Sequence, residues 1–145
     1  MNQYKALKDL RQKEFNEFPM MFAFTEKSFY EGMEKLGLKP DEKDQLLLLG
    51  NTGGYIRKSD KRAFLEMCAR HDQALADAIA ADPDGSGFIY EMFLYELRNH
   101  EYGYTYDTAD TLASLGYTDK DIETDPRMKQ ALNAACKKIF EEDEW

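Results

Sequence analysis

Residues 60–100 read DKRAFLEMCARHDQALADAIAADPDGSGFIYEMFLYELRNH, and the way this stretch folds decides the class of the whole chain. From 60 to 81, Phe64, Met67, Cys68, His71, Leu75, Ala78 and Ile79 recur at three- and four-residue spacing, the stripe of one helix face, and Ser59 is placed to cap it. From 88 to 100, Ile89, Met92, Phe93 and Leu97 repeat the pattern. Between them, DPDGSG holds a proline and two glycines, which suit a turn and spoil a helix. The stretch is therefore expected to be helix, tight turn, helix.

That turn also resembles a calcium loop. Asp82, Asp84 and Ser86 alternate as ligands one, three and five of an EF-hand do, Gly87 follows, and the carbonyl of Phe88 stands at position seven. Position twelve, where a bidentate glutamate closes the cage, is Phe93, and Glu91 comes two residues too early. Phe93 is claimed by the apolar stripe, and no second such loop occurs in the chain. A structural turn, with Asp84 or Ser86 accepting from the free N–H groups of the next helix, is the favoured reading; calcium at Asp82, Asp84, Ser86 and Phe88 is the alternative.

Outward from this pair, Tyr4, Leu7, Leu10 and Phe15 give a helix over 3–17 that stops before Pro19. MMFAF at 20–24 is a short apolar strand, Thr25 caps a helix buried through Phe29, Met33 and Leu36, and Gly37 ends it. Pro40 and three acidic residues among the next four suit the start of a short helix reaching Leu49. Residues 55–58, YIRK, form a strand expected to pair with 20–24. Towards the C-terminus, TYDTADTLASLG and TDKDIETDP are short helices, Thr118 and Asp121 forming a capping-box pair. The last helix starts at Asp125 and Pro126 and is expected to bury Met128, Leu132, Ala135, Cys136, Ile139 and Phe140. The sum is a mainly α fold: one domain over 1–145, a compact bundle of about six to seven helices with a two-stranded β ribbon at about 20–24 and 55–58.

With 145 residues, 43% of them hydrophobic, the chain buries an ordinary core without metals or disulfides, and no cofactor is implied. A net charge of −9 opposes binding to phosphate backbones, so direct nucleic-acid binding is not expected. Cys68 and Cys136 fall in helical stripes and suggest buried thiols in a reducing compartment. No apolar run is long enough for a membrane span or signal peptide, and a cytoplasmic location is expected.

Candidate chemistry is sparse. Glu96 and His100 share a helix face at i, i+4 spacing, two potential metal ligands, with His71 a conceivable third; a metal-dependent enzyme built on them is the second alternative. A Glu–His hydrogen bond and a half-buried His71 explain the same residues. GNTGG at 50–54 lacks the lysine and hydroxyl of a phosphate loop, and Arg57, Lys58, Lys61 and Arg62 read as a solvated helix start.

The charge is uneven. Residues 101–145 hold eleven acidic and five basic residues, with tyrosines at 102, 104, 106 and 117 among them. Carboxylates attract a basic surface and tyrosine offers wide contact at small entropic cost, so Tyr102, Tyr104, Tyr106, Asp107, Asp110, Tyr117, Asp119 and Asp121 are the candidate partner-binding residues. An ordinary acidic surface with half-buried tyrosines is the bland alternative.

EFPMMFAFTEKSFYEGMEKLGL, GGYIRKSDKRAFLEM and GFIYEMFLYELRNHEYGYT together resemble uncharacterised small acidic proteins of Gram-positive gut bacteria and of their phages and mobile elements, over about residues 11–136. The resemblance implies no activity and no catalytic residue. It implies a setting in which small acidic proteins bind and obstruct host proteins, nucleases of defence systems among them. The expected function is that of a non-enzymatic interaction module, an inhibitor or regulator that binds a basic surface of a host protein through its acidic C-terminal third.

Overall fold

In a computed structural model, which describes residues 1–50 and 53–142, the chain is mainly α, with eight helices and a three-stranded antiparallel sheet among the described residues. In order these are α1 (Gln3–Glu17), β1 (Met21–Phe22), α2 (Glu26–Lys35), β2 (Leu46–Leu48), β3 (Gly54–Arg57), α3 (Lys61–Ala80), α4 (Phe88–Asn99), α5 (Tyr102–Thr105), α6 (Ala109–Leu115), α7 (Asp119–Thr124) and α8 (Pro126–Glu142). Its contacts divide it into two compact units, residues 1–11 with 74–145 and residues 12–73.

The first unit is built on α4. Ile89, Met92, Phe93 and Leu97, the stripe read from the sequence, are all fully buried. Against them lie Met128, Ala131, Leu132, Ala135 and Ile139 of α8, together with Tyr4, Leu112 and Ile122. Spacing, not propensity, does this: four large side chains at i, i+3, i+4 and i+8 make one continuous apolar ridge, and each contributes about 1.5–3 kcal/mol when withdrawn from water. α7 starts where expected, with Thr118 Oγ1 accepting from the Asp121 N–H at 3.2 Å and the Asp121 carboxylate accepting from the Thr118 N–H at 2.8 Å.

In the second unit β3 is the central strand. Met21 pairs with Tyr55 and Phe22 with Gly54 on one side; Leu46, Leu47 and Leu48 pair with Arg57, Ile56 and Tyr55 on the other. Met21, Met33 and Leu36 form the buried centre between this sheet and α2. Thr25 caps α2 as anticipated, and Ser28 returns the bond to complete a capping box. Gly32 is required there, because a Cβ would lie 2.8 Å from the Met21 sulfur.

The sheet therefore has one strand more than the ribbon anticipated, and the helix anticipated over 40–49 does not form. Its acidic start survives only as a 3₁₀ turn at Lys43–Gln45, with the Glu42 carboxylate accepting from the Lys39 N–H at 2.9 Å. The leucines that follow present apolar side chains all round, and β3 offers them an open ladder edge; strand pairing satisfies backbone groups on both. Ser59 likewise lies inside a 3₁₀ turn, Lys58–Asp60, that leads directly into α3.

Candidate functional site

The turn between α3 and α4 is organised by Asp82, which is 5% exposed. One carboxylate oxygen accepts from the N–H of Gly85 at 3.0 Å; the other accepts from Gly87 at 3.2 Å and from Ile89 at 3.0 Å. Asp82, rather than Asp84 or Ser86, thus takes up the free donors at the start of α4. Asp84 accepts only from Ser86, through its N–H at 2.9 Å and its hydroxyl at 2.6 Å, which lowers its pKa. Phe88, whose carbonyl stood as a further calcium ligand, buries its ring beside Tyr4 at 6.0 Å between centroids. Arg127 completes the turn from α8, donating to the carbonyls of Ile79 at 3.1 Å and Asp82 at 2.8 Å. The Asp82 carboxylate thus holds the turn itself together.

Glu96 and His100 do share a helix face, with Nε2 3.9 Å from a Glu96 oxygen, beyond hydrogen-bond distance. The other Glu96 oxygen is taken by Lys8 at 3.1 Å, a cation that also lies over the rings of Tyr4 and Tyr95. His71 has a different partner: its Nε2 lies 3.0 Å from Glu14, which Arg70 also reaches at 3.3 Å. Among the described residues no three His, Cys, Asp or Glu side chains come together to hold a metal ion. Of GNTGG, Asn51 and Thr52 lie outside the described residues. Of the basic cluster, Arg57 pairs with Asp60 at 2.7 Å and Arg62 with Glu66 at 3.2 Å.

The acidic, tyrosine-bearing region separates into residues with structural work and residues without it. Asp107 accepts from the Ala109 N–H at 2.9 Å, and Asp121 belongs to the α7 capping box. Asp110 and Asp119 stand in the first turns of α6 and α7, where carboxylates suit the helix dipole. Tyr117 is half-buried, 6.2 Å from the Phe93 ring, and burial raises its pKa. Tyr102 is half-buried and hydrogen-bonded with Cys136; burial first, then that bond, pushes its pKa up to about 12.

Tyr104 and Tyr106 remain, 87% and 49% exposed. Phe140 joins them. It was expected inside the α8 stripe, yet it is 51% exposed with its ring 5.6 Å from that of Tyr106, which in turn meets Tyr102 edge-on at 5.7 Å. The α8 stripe is already complete at Ile139, and the neighbouring position faces outward. Tyr104 lies in the four-residue helix α5, Tyr106 directly follows it and Phe140 belongs to α8; the two flanks of α5, Glu101 at φ 58° and Tyr106 at φ 52°, are both left-handed without being glycine. Each such residue costs on the order of 1–3 kcal/mol and persists only where its surroundings hold it there. Glu101, Asp107, Glu141 and Glu142 are exposed on the same segments, Glu142 paired with Arg98 at 2.7 Å and Glu141 with Lys137 at 3.8 Å. No apolar periodicity marks α5; the glycine and three tyrosines of EYGYTY at 101–106 are the only hint of it.

A model of a family of unknown function, DUF7659, matches residues 3–138. No curated protein and no solved structure matches the chain. Among the described residues no helix is long and apolar enough to cross a membrane.

Proposed function

The chain belongs to the DUF7659 family, whose function is unknown, and on that premise we propose that it is a non-enzymatic interaction module. It docks on a basic surface of a host protein through the face formed by Tyr104, Tyr106 and Phe140. The observation that carries this is the pair of left-handed residues bracketing α5, which hold two tyrosines in water at a cost in backbone strain. Exposed carboxylates on the same segments favour a cationic partner, and a guanidinium both pairs with a carboxylate and stacks on a tyrosine ring. The first unit carries seventeen acidic and nine basic residues, so its field draws such a partner in. Inhibition or regulation of that host protein, of the anti-defence kind used by phages and mobile elements, is the role we assign; it rests on the resemblance of the three aromatic stretches, and an intracellular setting goes with it.

The test is retention of a basic protein from extract of the native host by the immobilised chain. Elution on raising salt from about 0.15 M to about 0.5 M is expected, because screening weakens exposed charge pairs. A Tyr104→Ala, Tyr106→Ala double variant with an unchanged melting curve should retain at least about tenfold less, the loss of roughly 1.4 kcal/mol or more. Equal retention by both proteins, or retention indifferent to salt, overturns the proposal.

A further inference from the structure

Charge is missing from one part of this chain. Residues 18–25 and 45–56, which include β1, β2 and all of β3 but its last residue, Arg57, contain no Asp, Glu, Lys or Arg, although 32% of the residues of the chain are charged. On this uncharged patch Phe22 is 48% and Phe24 84% exposed. Gly54 stands opposite Phe22 in the ladder, and Gly53 lies against the Phe24 ring, where an added Cβ would meet it at 3.5 Å. Two exposed rings thus border a floor without side chains.

β1 is also an edge strand, in the order β1-β3-β2. Ala23 donates its N–H to Gly53 at 3.4 Å, so by the alternation of an antiparallel ladder the N–H and carbonyl of Phe22 face away from β3. Natural edges are commonly guarded by charges or by inward-facing lysines. This one carries no charge, and only its two-residue length and Pro19 before it limit pairing.

We propose that β1 pairs with β1 of a second copy of this chain, antiparallel about a twofold axis through Phe22. The two Phe22 residues then exchange N–H···O bonds, and Phe24 of one copy lies beside Met20 of the other, on the same face of the joined sheet. The occupant follows from charge. A twofold contact sets residues near its axis against themselves, so a charge beside Phe22 would meet its like, and this uncharged edge brings no such repulsion. The second unit as a whole is almost balanced, eleven acidic residues against ten basic, so the proposed contact lies on the unit that contributes little to the net charge of −9.

Sedimentation equilibrium of the full chain tests this. The weight-average mass should climb with concentration from 16.8 kDa towards twice that value. It should do so at least as strongly in about 1 M salt as in low salt, since salt screens the repulsion between two chains of net charge −9 and leaves an apolar contact intact. Phe24→Ser should weaken association by at least about tenfold, and Phe22→Lys should abolish it. Tyr104→Ala, on the other unit, should change nothing. If Phe22→Lys lowers the melting temperature, Phe24→Ser decides alone, because a ring 84% in water bears little of the fold. A monomer mass up to about 0.5 mM, or association unaffected by Phe24→Ser, overturns the proposal.

Discussion

Arg127 donates through Nη1 to the main-chain carbonyl of Asp82 at 2.8 Å, while the Asp82 carboxylate collects three N–H groups of its own turn. One residue is therefore bonded at both its main chain and its side chain, and the two sets of bonds tie α3, the turn, α4 and α8 together. Asp125 supports the same arrangement, its pKa lowered chiefly by the hydrogen bond from Arg127.

Asp82→Asn replaces one carboxylate oxygen by a donor and leaves buried N–H groups without a partner. A loss of about 1.5–3 kcal/mol is expected, read by thermal or denaturant unfolding. Asp84→Ala should be much milder, since its bonds reach only Ser86 at the surface. Millimolar calcium should shift the melting temperature of neither the variant nor the parent; a calcium-dependent rise in the parent would return the turn to the class of ion sites.

Gly85 has φ 85°, and a Cβ there would stand 2.3 Å from the carbonyl oxygen of Arg127. Gly85→Ala is thus strained twice, by its own backbone and by a main-chain neighbour that cannot swing aside. Its cost should exceed the roughly 0.5–1 kcal/mol that a glycine normally forfeits against alanine, and with opposite sign. Chemical denaturation of the two proteins measures it.

Phe93→Ala removes a fully buried ring from the centre of the α4–α8 core and should cost about 3–5 kcal/mol. Phe140→Ala, on the same core's outer side, should leave stability nearly unchanged, its ring being 51% exposed. The contrast checks whether position twelve of the turn motif serves packing.

Glu14 has its pKa lowered, first by the hydrogen bond with His71 and further by Arg70. A carboxylate with a depressed folded pKa contributes stability that is present above its unfolded value near 4.3 and is lost as pH falls through the folded value. Acid unfolding of Glu14→Gln should therefore depend less on pH below about 4.3 than that of the parent. Superimposable acid curves would show the pair to be energetically idle.

At high pH the sign reverses. Tyr102 titrates near 12 in the folded chain and near 10 when unfolded, so between these values the unfolded state releases a proton that the folded state keeps. Stability present below about pH 10 is lost as pH rises towards 12, and Tyr102→Phe should make that decline shallower. Unfolding curves between pH 9 and about 12 report it.

Much of this was legible in residues close together in the chain. The 3.6-residue stripes of α3, α4 and α8, the Thr25 cap, the Thr118–Asp121 box and the proline at the start of α8 each act within a turn or two, where spacing and local hydrogen bonding decide. Phe93 could be assigned to the core on the same grounds. The fate of Leu46–Leu48 could not, because an all-apolar run fits helix and strand alike until β3 presents an edge.

The site divided in the same way. Sequence by itself determined that the C-terminal third is acidic and rich in tyrosine, since composition needs no fold. Tertiary structure alone decided which rings reach water: Tyr117 packs on Phe93, 24 positions away, Tyr102 bonds to Cys136, and Phe140 leaves the α8 core to meet Tyr106. The 88-residue step from Lys8 to Glu96 that occupies a candidate metal ligand is of the same kind. Backbone geometry is dictated by neighbours a few residues away, whereas exposure and pairing depend on what the rest of the chain brings alongside.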